Sequence, residues 1–296
     1  MSDVFSPNRV QYGGPSSPRR GWKESDAFVL PIPFEQTTSY GKGTAKGPAA
    51  LLTASLQVEL WDEEIGADVH TRNGVFTSVG LKFARPKVAA ALKQIHTAAT
   101  RVVERDKFLI SLGGEHSITA PLVSAVATKT PGVTVLQIDA HADLRDHYLN
   151  EPNSHACAMR RTLDYAPVVQ VGIRNISEDE AKAVPNLRTR IFYDWNMRDD
   201  PAWMDAVVEA LGPNVYITID LDGLEPGLMP GVGTPEPGGL SWRELTTLLR
   251  KTFERRNVVA CDVVELCPLK GIISPDFTAA RLVYKLLTYK YATRRV

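Results

Sequence analysis

The sequence predicts an α/β fold built on a mostly parallel sheet, covered by helices on both faces. Two observations carry this. Apolar runs rich in β-branched residues alternate with segments of helical period along most of the chain. Runs such as 133–138 and 258–264 are apolar nearly throughout, the pattern of strands buried on both faces. A third observation fits the same class. Polar residues able to do chemistry follow four of these runs, and ligands in parallel sheets sit beyond the carboxyl ends of the strands.

In chain order, residues 1–22 are rich in Pro, Gly, Ser and Arg without an apolar period. They are expected to form a flexible N-terminal arm, ordered by a partner subunit if at all. Residues 23–296 are then expected to form a single domain, since no later linker or internal repeat interrupts them. The apolar runs place strands near 27–32, 74–79, 107–112, 133–139, 167–172, 190–193, 215–220 and 257–264. Helices are expected near 47–56, 86–105, 117–128, 156–164, 200–211, 241–254 and 275–289. The second of these carries Val88, Leu92, Ile95, Ala99 and Val103 at spacings of three and four, one face of a helix. Ser241 followed by Glu244 gives the sixth a capping box.

Composition narrows the class. The 296 residues are 44% hydrophobic and 23% charged, with formal net charge +0. Nothing there points to nucleic acid or an anionic membrane as partner. No apolar stretch reaches the roughly 20 residues that span a bilayer, and the N-terminus lacks the basic and apolar segments of a secretory signal. Three cysteines, Cys157, Cys261 and Cys267, form no disulfide framework. A cytoplasmic location is therefore expected. Cys157 lies beside His155, which leaves thiol chemistry open there.

Chemistry concentrates in Asp139-Ala-His-Ala-Asp143, where an apolar run delivers three metal-competent side chains as it stops being a strand. A second run ends in Asp220-Leu-Asp222, a third leads through Gly113-Gly-Glu to His116, and a fourth ends at Glu265. The paired glycines would let the chain bend tightly before His116. Each piece alone has a plainer reading as a solvated turn, a cap or a loop. His70, His96 and His147 read as packing or surface histidines. Together, His116, Asp139, His141, Asp143, Asp220 and Asp222 make a ligand set for two divalent ions. Mixed imidazole and carboxylate donors suit Mn, Fe, Co, Ni or Zn better than Ca or Mg. Four carboxylates balance two such ions. A hydroxide and Glu265 would leave the site negative, which favours a cationic substrate. Bound metals also lower the pKa of water from about 15.7 to about 7.

With these motifs, Gly233-Thr-Pro-Glu-Pro-Gly-Gly239 and Asp262-Val-Val-Glu-Leu266, the chain resembles the ureohydrolase family of arginases and agmatinases from about Ala27 to Tyr289. The resemblance implies a three-layer α/β/α, arginase-like fold with a sheet of about eight strands and two Mn2+ per subunit, Ni2+ or another divalent metal being the alternative. It places His116, Asp139, Asp143 and Asp220 around one ion and Asp139, His141, Asp220 and Asp222 around the other. It makes Glu265 the carboxylate that pairs with the substrate guanidinium and His155 the histidine that shuttles protons, with Asp143 orienting the nucleophile or accepting its proton. It also implies a homo-oligomer, a trimer or hexamer. Two departures stand out: Glu225 replaces the usual Asp before Pro226, and Thr218 stands where arginases usually have Ser.

The expected substrate is a small cationic guanidino compound, cleaved to urea and an amine. The loop from Asp143 to His155 resembles that of agmatinases, with Arg145 where arginases carry an Asn. Agmatine, giving putrescine, is the first expectation, with Asp146 and Glu151 attracting its distal amine. Other ureohydrolase substrates remain: guanidinobutyrate, guanidinopropionate, arginine, or free guanidine with nickel. A non-catalytic regulatory homologue and a di-metal peptidase or phosphatase on another α/β fold are the remaining readings.

Overall fold

Strands β1 (Ala27–Ile32), β2 (Val75–Thr77), β3 (Phe108–Gly113), β4 (Thr134–Ile138), β5 (Val168–Ile173), β6 (Thr189–Tyr193), β7 (Asn214–Asp220) and β8 (Asn257–Val264) form one sheet in a computed structural model. The structure describes residues 3–15, 21–84 and 87–293. The strand order is β2-β1-β3-β8-β7-β4-β5-β6, and every neighbouring pair is parallel. All eight expected strands are present within a residue or two of their expected bounds.

The helices are α1 (Gly47–Ser55), α2 (Val69–Asn73), α3 (Val88–Val103), α4 (Thr119–Lys129), α5 (Ala158–Thr162), α6 (Glu178–Ala183), α7 (Trp203–Ala210), α8 (Trp242–Arg255) and α9 (Ser274–Ala292). Side chains alternate along each strand and feed two cores. Phe28 and Leu30 of β1 face a core shared with α3, α4 and α5. Val29 between them faces the core shared with α1, α7, α8 and α9. That alternation gives the three layers. Both faces of the sheet are covered, which explains why the strand sequences lack polar alternation. The capping box at Ser241 is present, with the Ser241 side chain accepting from the Glu244 amide and Glu244 returning to Ser241. The buried face of α3 is Ala91, Ile95, Ala98, Ala99 and Val102. Val88, Leu92 and Val103 pack at its margin.

Short α2 and α6 were not expected. Neither is long enough to show a helical period, and each is set by its first residue. The Asp68 side chain accepts from Thr71 N, and Ser177 with Glu180 forms a second capping box.

The N-terminal segment corrects the expectation of a flexible arm over 1–22. Its described residues dock on their own domain. Pro7 bridges to Ser78, Val4 is buried and Tyr12 is fully buried. The Tyr12 hydroxyl donates to Ala280 O at 2.7 Å, and His70 Nε2 donates to Tyr12 O at 2.8 Å. A few anchors spaced without period suffice to hold a segment that no helical or strand pattern marks. Residues 1–2 and 16–20 of the expected arm lie outside the described residues.

Sheet order fixes where the chemistry falls. β3, β8, β7 and β4 are consecutive neighbours. Their ends are level because Leu112 pairs with Val263, Val263 with Ile219, and Ile219 with Ile138. The chain leaves β3 and returns at β4, with β8 and β7 lying between them, so a crevice opens beyond these strand ends.

Candidate active site and metal centre

Beyond those four strand ends lies a cavity of about 230 Å³, lined among others by His116, His141, Asp143, His155, Asp220, Asp222, Glu236 and Glu265. Glycine helps to build its floor: the chain bends at Gly114, as expected, and passes close to a neighbouring segment there. A Cβ on Gly114 would lie 2.0 Å from Phe34 O. Two site residues that are not glycine, Asp143 at φ 53 and Glu265 at φ 65, hold left-handed backbone conformations. Such strain collects where side chains must be aimed.

Backbone amides orient the carboxylates. Asp139 Oδ1 accepts from His141 N at 2.6 Å, and its Oδ2 accepts from Gln137 Nε2 at 2.6 Å. Asp220 Oδ1 accepts from Asp222 N at 3.0 Å, and Asp222 Oδ1 from Ala140 N at 3.1 Å. Glu265 Oε1 accepts from His116 N at 2.7 Å.

His116 Nδ1 lies 3.0 Å from Asp139 Oδ2, 3.0 Å from Asp143 Oδ2 and 3.4 Å from Asp220 Oδ2. His141 Nδ1 lies 3.0 Å from Asp222 Oδ2 and 3.7 Å from Asp139 Oδ1. The donor atoms of His116, Asp139 and Asp220 fall within 4.8 Å of one another, as do those of Asp139, His141 and Asp222. Asp139 belongs to both groups, the position of a bridge. Asp220, also expected to bridge, joins the first.

The fit to a metal rests on the His116 tautomer. Asp262 is a fully buried carboxylate that accepts from Thr218 Oγ1 at 2.6 Å, Tyr216 OH at 2.6 Å and Thr119 Oγ1 at 3.0 Å. The single Thr218 proton is thus committed to Asp262. Thr218 Oγ1 must then accept from His116 Nε2, 2.9 Å away. Nδ1 is left with a lone pair facing carboxylate oxygens, and it has no hydrogen-bond partner. Only a cation among these atoms makes the arrangement stable, and the mixed N and O donors suit a borderline divalent ion. Where no metal is bound, protons take its place. Burial opposes a charge on His116, but Asp139, Asp143 and Asp220 outweigh it and raise its pKa well above the ordinary value. Burial and then the charge of Asp139 push Asp143 up to about 6. Burial, then Asp222 and Asp139, raise Asp220. Burial and Glu115 raise Glu265. A cluster this negative draws in positive charge.

Comparison with known proteins agrees with this geometry. An arginase-family model matches residues 25–288. The chain belongs to the arginase family. It is 38% identical to an N(1)-aminopropylagmatine ureohydrolase of Synechocystis sp. over 97% of each chain. It is 29% identical to an agmatinase of Bacillus cereus over 84% of this chain and 86% of that one. The agmatine ureohydrolase structure of Thermoplasma volcanium superposes with a TM-score of 0.85 at 26% identity, over 95% of this chain and 94% of that one. These arginase-family relatives are hydrolases acting on guanidino groups. The arginase family also carries binuclear metal centres, consistent with the two histidine and aspartate groups.

Within this arginase-family site, His155 lines the cavity as expected. Burial lowers its pKa against the pull of Glu115. Asp146 and Glu151 correct the sequence reading, because neither lines the cavity. Asp146 is exposed, and its carboxylate takes Arg161 at 2.6 Å with Arg160 at 3.7 Å. Glu151 Oε1 accepts from Asn153 N, and the Glu151 backbone pairs with Tyr148. Thiol chemistry at Cys157 finds no support either. The side chain is fully buried, and burial, then Asp143, push its pKa up to about 11. His70 and His96 pack as expected, each against a backbone carbonyl, and His147 is exposed.

Sequence reasoning missed Glu236, which faces His141 Nε2 at 3.8 Å. It stands inside the quoted Gly-Thr-Pro-Glu-Pro-Gly-Gly motif, where its charge was the available signal. Arg174 was also missed. It donates to Asp222 O at 2.6 Å and Glu236 O at 2.9 Å and so ties the β7 end to that motif.

Proposed function

We propose that the protein hydrolyses the guanidino group of a linear polycationic amine to urea and the free amine, with N(1)-aminopropylagmatine as the preferred substrate. The observation that carries the substrate is the relative bearing that name, 38% identical end to end, where the agmatinase matches 84% of the chain at 29%. Agmatine, the expectation from the loop sequence, is the second reading. The agmatinase likeness and the fold of the Thermoplasma enzyme favour it. The cavity suits either chain: it is lined by Glu236, Glu180 and Glu265, with Tyr148 and Tyr40 at its walls.

His116, Asp139, Asp143 and Asp220 would hold one ion, and Asp139, His141, Asp220 and Asp222 the other, with manganese as the proposed metal. When bound, the ions would supply Lewis acidity and lower the pKa of water at the site. The chain's own residues do the rest. Glu265, one oxygen fixed by His116 N, presents its other oxygen to the guanidinium through charge-assisted hydrogen bonds. That contact holds the planar cation over the cluster. Asp143 takes the proton released as water adds to the guanidinium carbon. His155 gives a proton to the departing amine as the C–N bond breaks.

The test is urea release from N(1)-aminopropylagmatine, agmatine, guanidinobutyrate and arginine, with Mn and Ni in parallel. The kcat/KM for N(1)-aminopropylagmatine should exceed that for agmatine by about tenfold, roughly 1.4 kcal/mol. Faster release from arginine than from either amine would sink the proposal.

A further inference from the structure

Glu115 stands beside a metal-site histidine yet turns away from the metal cluster. It is fully buried and accepts four hydrogen bonds. Oε2 takes the amides of Gln36 at 2.5 Å and Thr37 at 2.7 Å, and Oε1 takes Thr37 Oγ1 at 2.7 Å and Ser117 Oγ at 2.6 Å. Backbone amides can only donate, so Oε2 accepts from both, while Oε1 accepts from the two hydroxyls. The one proton of Thr37 Oγ1 is therefore committed to Glu115. The lone pairs of that hydroxyl face His155, accepting from His155 N at 2.9 Å and lying 3.1 Å from His155 Nδ1. If Nδ1 were bare, two lone pairs would oppose each other at that distance. A proton on Nδ1 removes that clash by donating to Thr37 Oγ1, and Ser154 Oγ, 3.2 Å from Nδ1, can accept it as well. Nε2 is the bare nitrogen left for the cavity that His155 lines. Tyr148 meets the ring edge-on at 5.7 Å and limits its rotation.

We infer that Thr37 and Glu115 are positioning residues for His155, fixing the tautomer whose bare Nε2 can take up a proton and pass it to the leaving amine. This rests on His155 acting as proposed above. One motif then serves two histidines: Glu115 reaches through the loop after β1 to orient His155, while its neighbour His116 faces the metal ligands.

The experiment is a double-mutant cycle in the Mn-loaded enzyme, reading kcat, KM and bound metal. His155→Asn alone tests the underlying role and should lower kcat by about 10²-fold. Thr37→Val should lower kcat by about 10- to 100-fold, with KM within about twofold and metal content unchanged. Thr37→Ser should restore most of the activity. In the His155→Asn background, Thr37→Val should cost nothing further, because both changes disable one unit. An unaffected His155→Asn enzyme overturns the role of His155 itself. Loss in His155→Asn without loss in Thr37→Val, or an additive loss in the double variant, overturns the positioning inference alone. If Thr37→Val does not fold, Thr37→Ala carries the same cycle.

Discussion

The floor of the cavity and the loop at its rim are built on opposite principles. On the floor, like charges are forced together. Asp139, Asp143 and Asp220 surround one imidazole nitrogen, and each comes from the end of a buried strand or the residues just after it. At the rim, over residues 144–154, charges pair locally with opposite ones. Asp146 takes Arg161, and Arg145 lies 3.6 Å from Glu180. The floor is therefore unsatisfied until a cation arrives, whereas the rim is satisfied by the protein. On the function proposed above, the preorganised, mutually repelling groups are where metal and guanidinium would act. Neutralised surface pairs contribute little to binding.

Substitutions on either side of that contrast should differ in size of effect. The largest effect should follow Asp139→Asn, which removes charge shared by both clusters. Urea release should fall by at least about 10³-fold, with loss of bound metal seen by elemental analysis. Thr218→Val leaves the ligands intact but frees the His116 tautomer. Apparent metal affinity should weaken by about 10- to 100-fold in a titration of the metal-stripped protein, and Thr218→Ser should recover it. Glu236→Gln tests the border between floor and rim. It should cut the preference for the longer amine over agmatine by about tenfold in competing kcat/KM measurements. The smallest effect belongs to the rim: Asp146→Asn and Glu151→Gln should each change kcat/KM for either amine by no more than about twofold. A large loss in either would restore the sequence reading that gave them the distal amine.

The same contrast marks what the sequence reveals. The floor was legible because its residues sit at the ends of apolar runs, and a parallel sheet brings strand ends to one edge. All eight strands and the six candidate ligands were readable on that basis. Register was not. A buried polar row crosses the sheet beneath the site, where Ser111 pairs with Asp262, Asp262 with Thr218, Thr218 with Gln137 and Gln137 with Gln170. Each member looks like an isolated polar residue in an apolar run until pairing aligns them. Thr37 was invisible for a similar reason, since its partners lie 78 and 118 residues away. Asp146 was misjudged because its choice between a ligand amine and Arg161 depends on a helix that begins after the loop. Tyr12 escaped notice because one buried hydroxyl bond to Ala280, not a period, docks its segment.

On the proposed function, the floor holds two ions that the chemistry requires. Calorimetric titration of Mn2+ into metal-stripped protein, with urea release followed at each point, tests it most directly. Two ions should bind per chain, with urea release rising only as they bind. Full urea release from the metal-stripped protein, or saturation of activity with no bound metal, would contradict it.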